Sequence, residues 1–130
     1  MNHVKVLLAE DEEGVLEIMG RKIASAGYQV ILAQDGRIAW EKIQAEKPDV
    51  IVLDINMPQI SGWEILKRLR ENPNVTRWQP VIIVSSLDET THLKQGFDLQ
   101  ADHYLTKPCR MDDVLKAIRL MVSLIPLRET

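Results

Sequence analysis

Glu10, Asp11, Asp54, Ser85 and Lys107 are the residues of this sequence whose types and positions could act together on a phosphate group. Glu10 and Asp11 follow the apolar run Val4–Ala9, and Asp54 closes Val50–Leu53. Ser85 closes Val81–Val84, and Lys107 follows Tyr104–Thr106. Carboxylates brought to one place repel one another and resist ionising unless a cation compensates them. A hard divalent ion such as Mg²⁺ does so, taking about six oxygens and needing only one or two carboxylates beside water and phosphate. Lys107 would add positive charge without occupying a metal position. Such a site suits phosphoryl transfer, where positioning and charge neutralisation carry most of the catalysis. A carboxylate can itself be the nucleophile and become an aspartyl phosphate.

Those residues matter only if the chain brings them together. Short apolar runs alternate with helix-period segments: Val4–Ala9, Gln29–Ala33, Val50–Leu53, Val81–Val84 and Tyr104–Thr106 read as strands. Several are almost unbroken Val, Ile and Leu, as expected of strands buried on both faces of a parallel sheet. Between them, Val15, Met19, Ile23 and Ala26 fall on one helical face, as do Ala39 and Ile43, then Trp63, Leu66 and Leu69, then Leu93 and Phe97. Met111, Val114, Leu115, Ile118, Met121 and Val122 form the last stripe. Gly27 should end the first helix, Asp35 cap the second and Lys47-Pro48 close it. This alternation predicts an α/β fold with a doubly wound, five-stranded parallel sheet of the flavodoxin-like (βα)5 type. With the strand order 2-1-3-4-5, the first and third strands flank the point where the order reverses, and ligands bind there beyond the carboxyl ends.

Composition narrows the class. The 130 residues suit one domain over 1–130, with a core at about 4–122 and a short tail over 123–130. Leu124, Ile125 and Leu127 in that tail could pack back on the domain, begin a linker or serve a dimer. Apolar residues at 45% and charged residues at 27% indicate an ordinary globular mixture. A formal charge of −3 offers no basic face for direct nucleic-acid binding. Cys109 is the single cysteine, so no internal disulfide can form. Neither a signal peptide nor a membrane-spanning run is visible, and a cytoplasmic location is the simplest expectation. His3, His92 and His103 lack ligand spacing, and Trp40, Trp63 and Trp78 read as packing or rim residues. Glu12 and Glu13 read as first-turn acids favoured by the helix dipole.

The stretches Val6-Leu-Leu-Ala-Glu-Asp11, Val50-Ile-Val-Leu-Asp-Ile-Asn-Met-Pro58, Val81-Ile-Ile-Val-Ser-Ser86 and Ala101-Asp-His-Tyr-Leu-Thr-Lys-Pro108 closely resemble the receiver domains of two-component response regulators. The likeness covers roughly residues 4–122 in the family's order and spacing. It implies that Asp54 accepts a phosphoryl group from a phosphohistidine on a histidine kinase or histidine phosphotransfer protein. It implies Mg²⁺ as cofactor, with Asp11 a direct ligand, Glu10 acting through a metal-bound water, and Asp54 and the Asn56 backbone carbonyl as further ligands. Ser85 resembles the hydroxyl residue that bonds the phosphoryl group, Lys107 the lysine that pairs with it, and Tyr104 the aromatic switch that follows the hydroxyl inward. The Lys107–Pro108 bond is cis in this family. The signal would pass through the face formed by the fourth helix, fifth strand and fifth helix, to an output protein or a dimer partner. The domain would be a switch, catalysing only its own phosphoryl transfer and dephosphorylation.

The sequence departs from the family's commoner choices at Glu10, Ser61, Ser85, Gln100 and Cys109, and none of these removes a reacting group. Leu87, two residues beyond Ser85, offers an attacking water no hydrogen bond and predicts slow self-dephosphorylation. One rival is a receiver-fold scaffold working without phosphorylation, which the retained Asp54, Ser85 and Lys107 argue against. Another is an enzyme on a similar sheet. An aspartate-nucleophile phosphatase wants a second acid where Asn56 stands, and a flavin carrier wants a phosphate loop where Glu10 and Asp11 stand.

Overall fold

Val50-Ile-Val-Leu-Asp54 offers apolar side chains on both faces of an extended chain, and only a strand covered from both sides satisfies them. It forms β3 (Val50–Asp54), the middle strand of the sheet, buried at every position. The computed structural model describes residues 4–71, 78–86 and 101–128, with side chains to 125. Around β3 stand β1 (Lys5–Ala9), β2 (Gln29–Ala33), β4 (Val81–Ser86) and β5 (His103–Lys107). All pairings are parallel and the order is β2-β1-β3-β4-β5, the doubly wound arrangement expected. The described helices are α1 (Glu13–Ser25), α2 (Gly36–Glu46), α3 (Gly62–Glu71) and a C-terminal helix (Met111–Arg128). His3, Leu87, His92, Leu93, Phe97 and Gln100 lie outside the described residues.

Strand parity sorts the core. Leu7, Ala9, Ile51, Leu53, Val81 and Ile83 point to the side covered by α2 and α3, where they meet Ala39, Ile43, Trp63, Leu66 and Leu69. Val6, Leu8, Val50, Val52, Ile82 and Val84 point to the other side, against Leu16 and Ile23 of α1 and Val114, Ile118 and Met121 of the C-terminal helix.

The α1 face differs from the expected stripe. Leu16, Gly20 and Ile23 are buried, Val15 and Met19 are half-buried, and Ala26 is exposed at the C-cap. Gly20 is the reason. A Cβ there would come within 2.8 Å of a Leu32 methyl, so the helix approaches β2 along a residue with no side chain to announce it. The chain then turns into β2 through Gly27, at φ 104°. Asp35 caps α2 as expected, its carboxylate accepting from the Ile38 amide at 2.8 Å. Lys47 closes that helix in the left-handed region at φ 49°. The C-terminal helix runs to Arg128, so residues expected to form a tail extend it, and Leu124 and Ile125 pack against the core.

At the amino-terminal ends of β4 and β5, Asp102 gathers three donors: Arg70 Nη2 at 2.7 Å, the Val81 amide at 2.8 Å and Trp78 Nε1 at 3.2 Å. This half-buried cluster ties the end of α3 to both strands. Trp63 is buried, and Trp40 is half-buried with the Arg68 guanidinium 5.5 Å from its ring centre. The three tryptophans therefore pack, as expected.

Candidate functional site

The same parity carries on to the polar residues at the carboxyl ends. Glu10 continues the Val6–Leu8 row and Asp54 the Val50–Val52 row. Lys107 stands opposite Ser86, in step with the Val84–Leu105 pair. All three therefore emerge on the α1 side of the sheet and converge. Lys107 Nζ donates to Glu10 Oε2 and to Asp54 Oδ2, each at 3.2 Å. Glu10, Asp54 and Ser85 are the buried polar side chains among the described residues, at 4, 6 and 4% exposure. Asp11 is exposed at the rim, and its carboxylate joins those of Glu10 and Asp54 with ligand oxygens all within 4.8 Å of one another.

Burial pushes the Glu10 carboxyl up to about 7, helped by its hydrogen bond to the Asp54 carboxyl and that group's charge, and opposed by Lys107. Burial alone would pull the Lys107 ammonium down, but the charges of Asp54 and Glu10 outweigh it and hold Lys107 above its ordinary value. The lone ammonium thus leaves the acids undercompensated. Three carboxylates at this spacing, one of them driven towards its neutral form, are a hard-oxygen donor set that fits Mg²⁺.

The loop after β3 presses tightly on the site. The Asn56 amide donates to Asp54 Oδ1 at 3.3 Å, which places Asn56 beside the acids, its side chain exposed. A Cβ on Gly62 would stand 2.5 Å from the Asp54 carbonyl oxygen, and one on Gly36 would stand 1.6 Å from that of Ile60. Both helix starts therefore touch backbone directly, and α2 and α3 clamp the loop between them. Ser61 caps α3, its hydroxyl oxygen accepting from the Glu64 amide at 3.2 Å. Sequence reasoning read neither glycine as part of the site. A glycine at the start of each helix bordering the loop was the available signal.

Ser85 and Tyr104 lie on the other parity. Ser85 follows Ile83 and stands opposite Thr106, while Tyr104 stands opposite Ile83 and packs with the α2–α3 side of the core. The Tyr104 hydroxyl is enclosed, and burial together with Asp102 raises its pKa. Acids and ammonium thus converge on one side of the sheet, with the hydroxyl and the aromatic on the other. The Lys107–Pro108 bond is cis. Cys109 is half-buried and packs with the α1 side of the core, and burial raises its thiol, with Lys107 opposing and Asp113 assisting. No helix among the described residues is long and apolar enough to cross a membrane.

A family model described as the response regulator receiver domain matches residues 6–119. Response regulator MprA of Mycolicibacterium vanbaalenii is 34% identical over 119 residues, 92% of this chain and 50% of that protein. The alkaline phosphatase synthesis transcriptional regulatory protein PhoP of Bacillus subtilis is 38% identical over 104 residues, covering 80% of this chain and 42% of that protein. The chain therefore spans about half the length of the curated relatives it matches. Among solved structures, the receiver domain of Francisella response regulator 1452 superposes with a TM-score of 0.82 at 34% identity, covering 92% of this chain and 96% of that one. The chemotaxis response regulator CheY4 of Vibrio cholerae gives 0.83 at 28% identity, over 92% and 99%.

Proposed function

This chain belongs to the response regulator receiver family, the signalling switches of two-component systems, and from that membership we propose that Asp54 accepts a phosphoryl group from a phosphohistidine on a partner kinase or phosphotransfer protein. A carboxylate oxygen of Asp54 attacks phosphorus. The new O–P bond forms as the N–P bond breaks, and the electron pair returns to the imidazole nitrogen. Lys107, already 3.2 Å from Asp54 Oδ2, pairs with the incoming phosphoryl oxygens, and Ser85, the residue just past the Asp54–Val84 pair, donates its hydroxyl to them over the strand ends from the other side of the sheet. Asp11, Glu10, Asp54 and the Asn56 carbonyl would hold Mg²⁺. When bound, that ion supplies the positive charge that offsets the phosphoryl oxygens. The observation that carries this reading is the bridging of Glu10 and Asp54 by Lys107, with Asp11 completing the acid group at the ends of the two strands flanking the switch point.

The product brings up to about two negative charges into this acidic pocket. Lys107 and Ser85 follow those charges, and Tyr104, on the same parity as Ser85, follows the space its hydroxyl vacates. A surface including β5 and the C-terminal helix would then present itself differently to an output protein. Driving a two-state switch from 1:99 to 99:1 requires about 5.5 kcal/mol of differential stabilisation, to which several new charge-assisted hydrogen bonds contribute. Slow self-dephosphorylation, read from Leu87, remains part of this proposal.

Incubation with Mg²⁺ and acetyl phosphate, followed by intact mass measurement, should show the parent gaining one phosphate and Asp54→Asn gaining none. An adduct on another carboxylate would overturn the assignment. No adduct on the parent would favour a scaffold working without phosphorylation.

A further inference from the structure

The loop between β3 and α3 holds a strained residue that takes no part in the chemistry of the site. Gln59 stands at φ 73°, in the left-handed region, with its side chain exposed. The Ile60 amide donates to the Pro58 carbonyl at 2.9 Å, closing a turn across this one residue. With a positive φ at its centre, that turn is the rare and strained form of the γ-turn, which glycine enters freely and a residue with a Cβ resists. An exposed side chain does not impose such a backbone, so the surroundings must. The same Pro58 carbonyl accepts from the Gly36 amide at 3.2 Å, and the missing Cβ of Gly36 lets the Ile60 carbonyl come close. On either side of the turn, Met57 and Ile60 pack with the α2–α3 side of the core.

We propose that Gln59 is a positioning residue for phosphoryl transfer, the hinge of a spring-loaded loop whose pinned form sets the Asp54 carboxylate for attack. Strain at Gln59 favours release to negative φ, and the Gly36 amide with the two packed flanks opposes it. The path from hinge to nucleophile is short. The Met57 amide donates to the Ile55 carbonyl at 3.2 Å, a second turn across one residue, and the Asn56 amide at its centre donates to Asp54 Oδ1 at 3.3 Å. The loop that Gln59 tightens therefore carries the donor that holds the nucleophile. Release would withdraw that donor and let the carboxylate turn, and positioning carries much of the rate in this chemistry. The inference rests on the phospho-acceptor reading for its reaction, while the hinge and its hold on Asp54 can be measured without phosphate.

The test uses the full chain carrying Gln59→Gly, Gln59→Ala or Gln59→Val, read first by amide hydrogen exchange without metal or phosphate. Glycine removes the strain, alanine keeps it, and β-branched valine adds to it. Relative to the parent, the Gly36, Asn56 and Ile60 amides should exchange about fivefold more slowly in Gln59→Gly and about fivefold faster in Gln59→Val. Gln59→Ala should match the parent, and amides within β3 should respond in none of the variants. With Mg²⁺ and acetyl phosphate, Gln59→Val should lose about fivefold in maximal phosphorylation rate at an unchanged half-saturating donor concentration, and Gln59→Ala should keep the parent rate. Should Gln59→Val fail to fold, the exchange of Gln59→Gly decides. Exchange in Gln59→Gly no slower than in the parent, a Gln59→Ala variant unlike the parent, or a Gln59→Val variant phosphorylated at the parent rate would overturn the proposal. The expected exchange order in a protein whose parent takes no phosphate would support the hinge and count against the acceptor reading.

Discussion

Lys107 holds two carboxylates that would otherwise oppose each other, and one ammonium is too little charge for the task. Glu10 shows the imbalance, its carboxyl raised from the ordinary value of 4.5 to about 7. A carboxyl raised by folding binds its proton more tightly in the native state. Its effect on stability is therefore absent below pH about 4.5, becomes a growing cost as pH rises towards 7, and levels off above that. The full cost is up to about 3 kcal/mol. In metal-free protein, Glu10→Gln should match the parent near pH 4.5 and become progressively more stable than it by pH 8. Urea unfolding across that range checks it, and a constant difference at all pH values would contradict the assignment.

The elements that present the site depend on close backbone approaches more than on side-chain contacts. Gly62 begins α3 with its Cα against the Asp54 carbonyl, where an added Cβ would lie at 2.5 Å. Gly62→Ala must push α3 or the loop away, and should cost about 1–3 kcal/mol by overpacking. Because Asp54 itself moves, phosphorylation by acetyl phosphate should slow as well. A stability loss with an unchanged rate would show that α3 yields and the loop does not. At the opposite edge of the sheet, Asp102 accepts from Arg70, Trp78 and Val81, with Arg70 and Asp102 only 17 and 14% exposed. Asp102→Ala removes the acceptor shared by Arg70, Trp78 and the Val81 amide and should cost about 3 kcal/mol in thermal or chemical unfolding. It should leave Mg²⁺ binding intact, because the cluster lies at the other end of the strands.

The molecule joins a dry, hydrophobic sheet to an edge where three carboxylates meet one ammonium. Binding a cation at that edge adds to global stability by mass action, about 2.7 kcal/mol at a hundredfold excess over Kd. Chemical unfolding with Mg²⁺ and then with EDTA should show that difference in the parent. Asp11→Asn should retain the EDTA-state stability and lose the response, since Asp11 is exposed. At the centre of the sheet, β3 is buried throughout and paired on both sides.

The sequence by itself pointed to the strands, because runs such as Val50-Ile-Val-Leu53 and Val81-Ile-Ile-Val84 admit few alternatives, although β4 goes on to Ser86 and β5 takes in His103 and Lys107. Asp54 and Ser85 were legible at the ends of such runs, as were the Asp35 cap and the burial of Ile43, Leu66 and Ile118. Local pattern could not reveal contacts whose signal is a missing side chain. Gly20 turned the buried face of α1 away from the stripe of larger residues, and Gly36 and Gly62 brought two helices onto one loop. Only the tertiary structure decided that Lys107 bridges Glu10 as well as Asp54, because that contact spans 97 positions of chain and depends on sheet register. The register also parts the acids and the ammonium from Ser85 and Tyr104, because successive residues of an extended strand face opposite ways and neighbouring strands keep step.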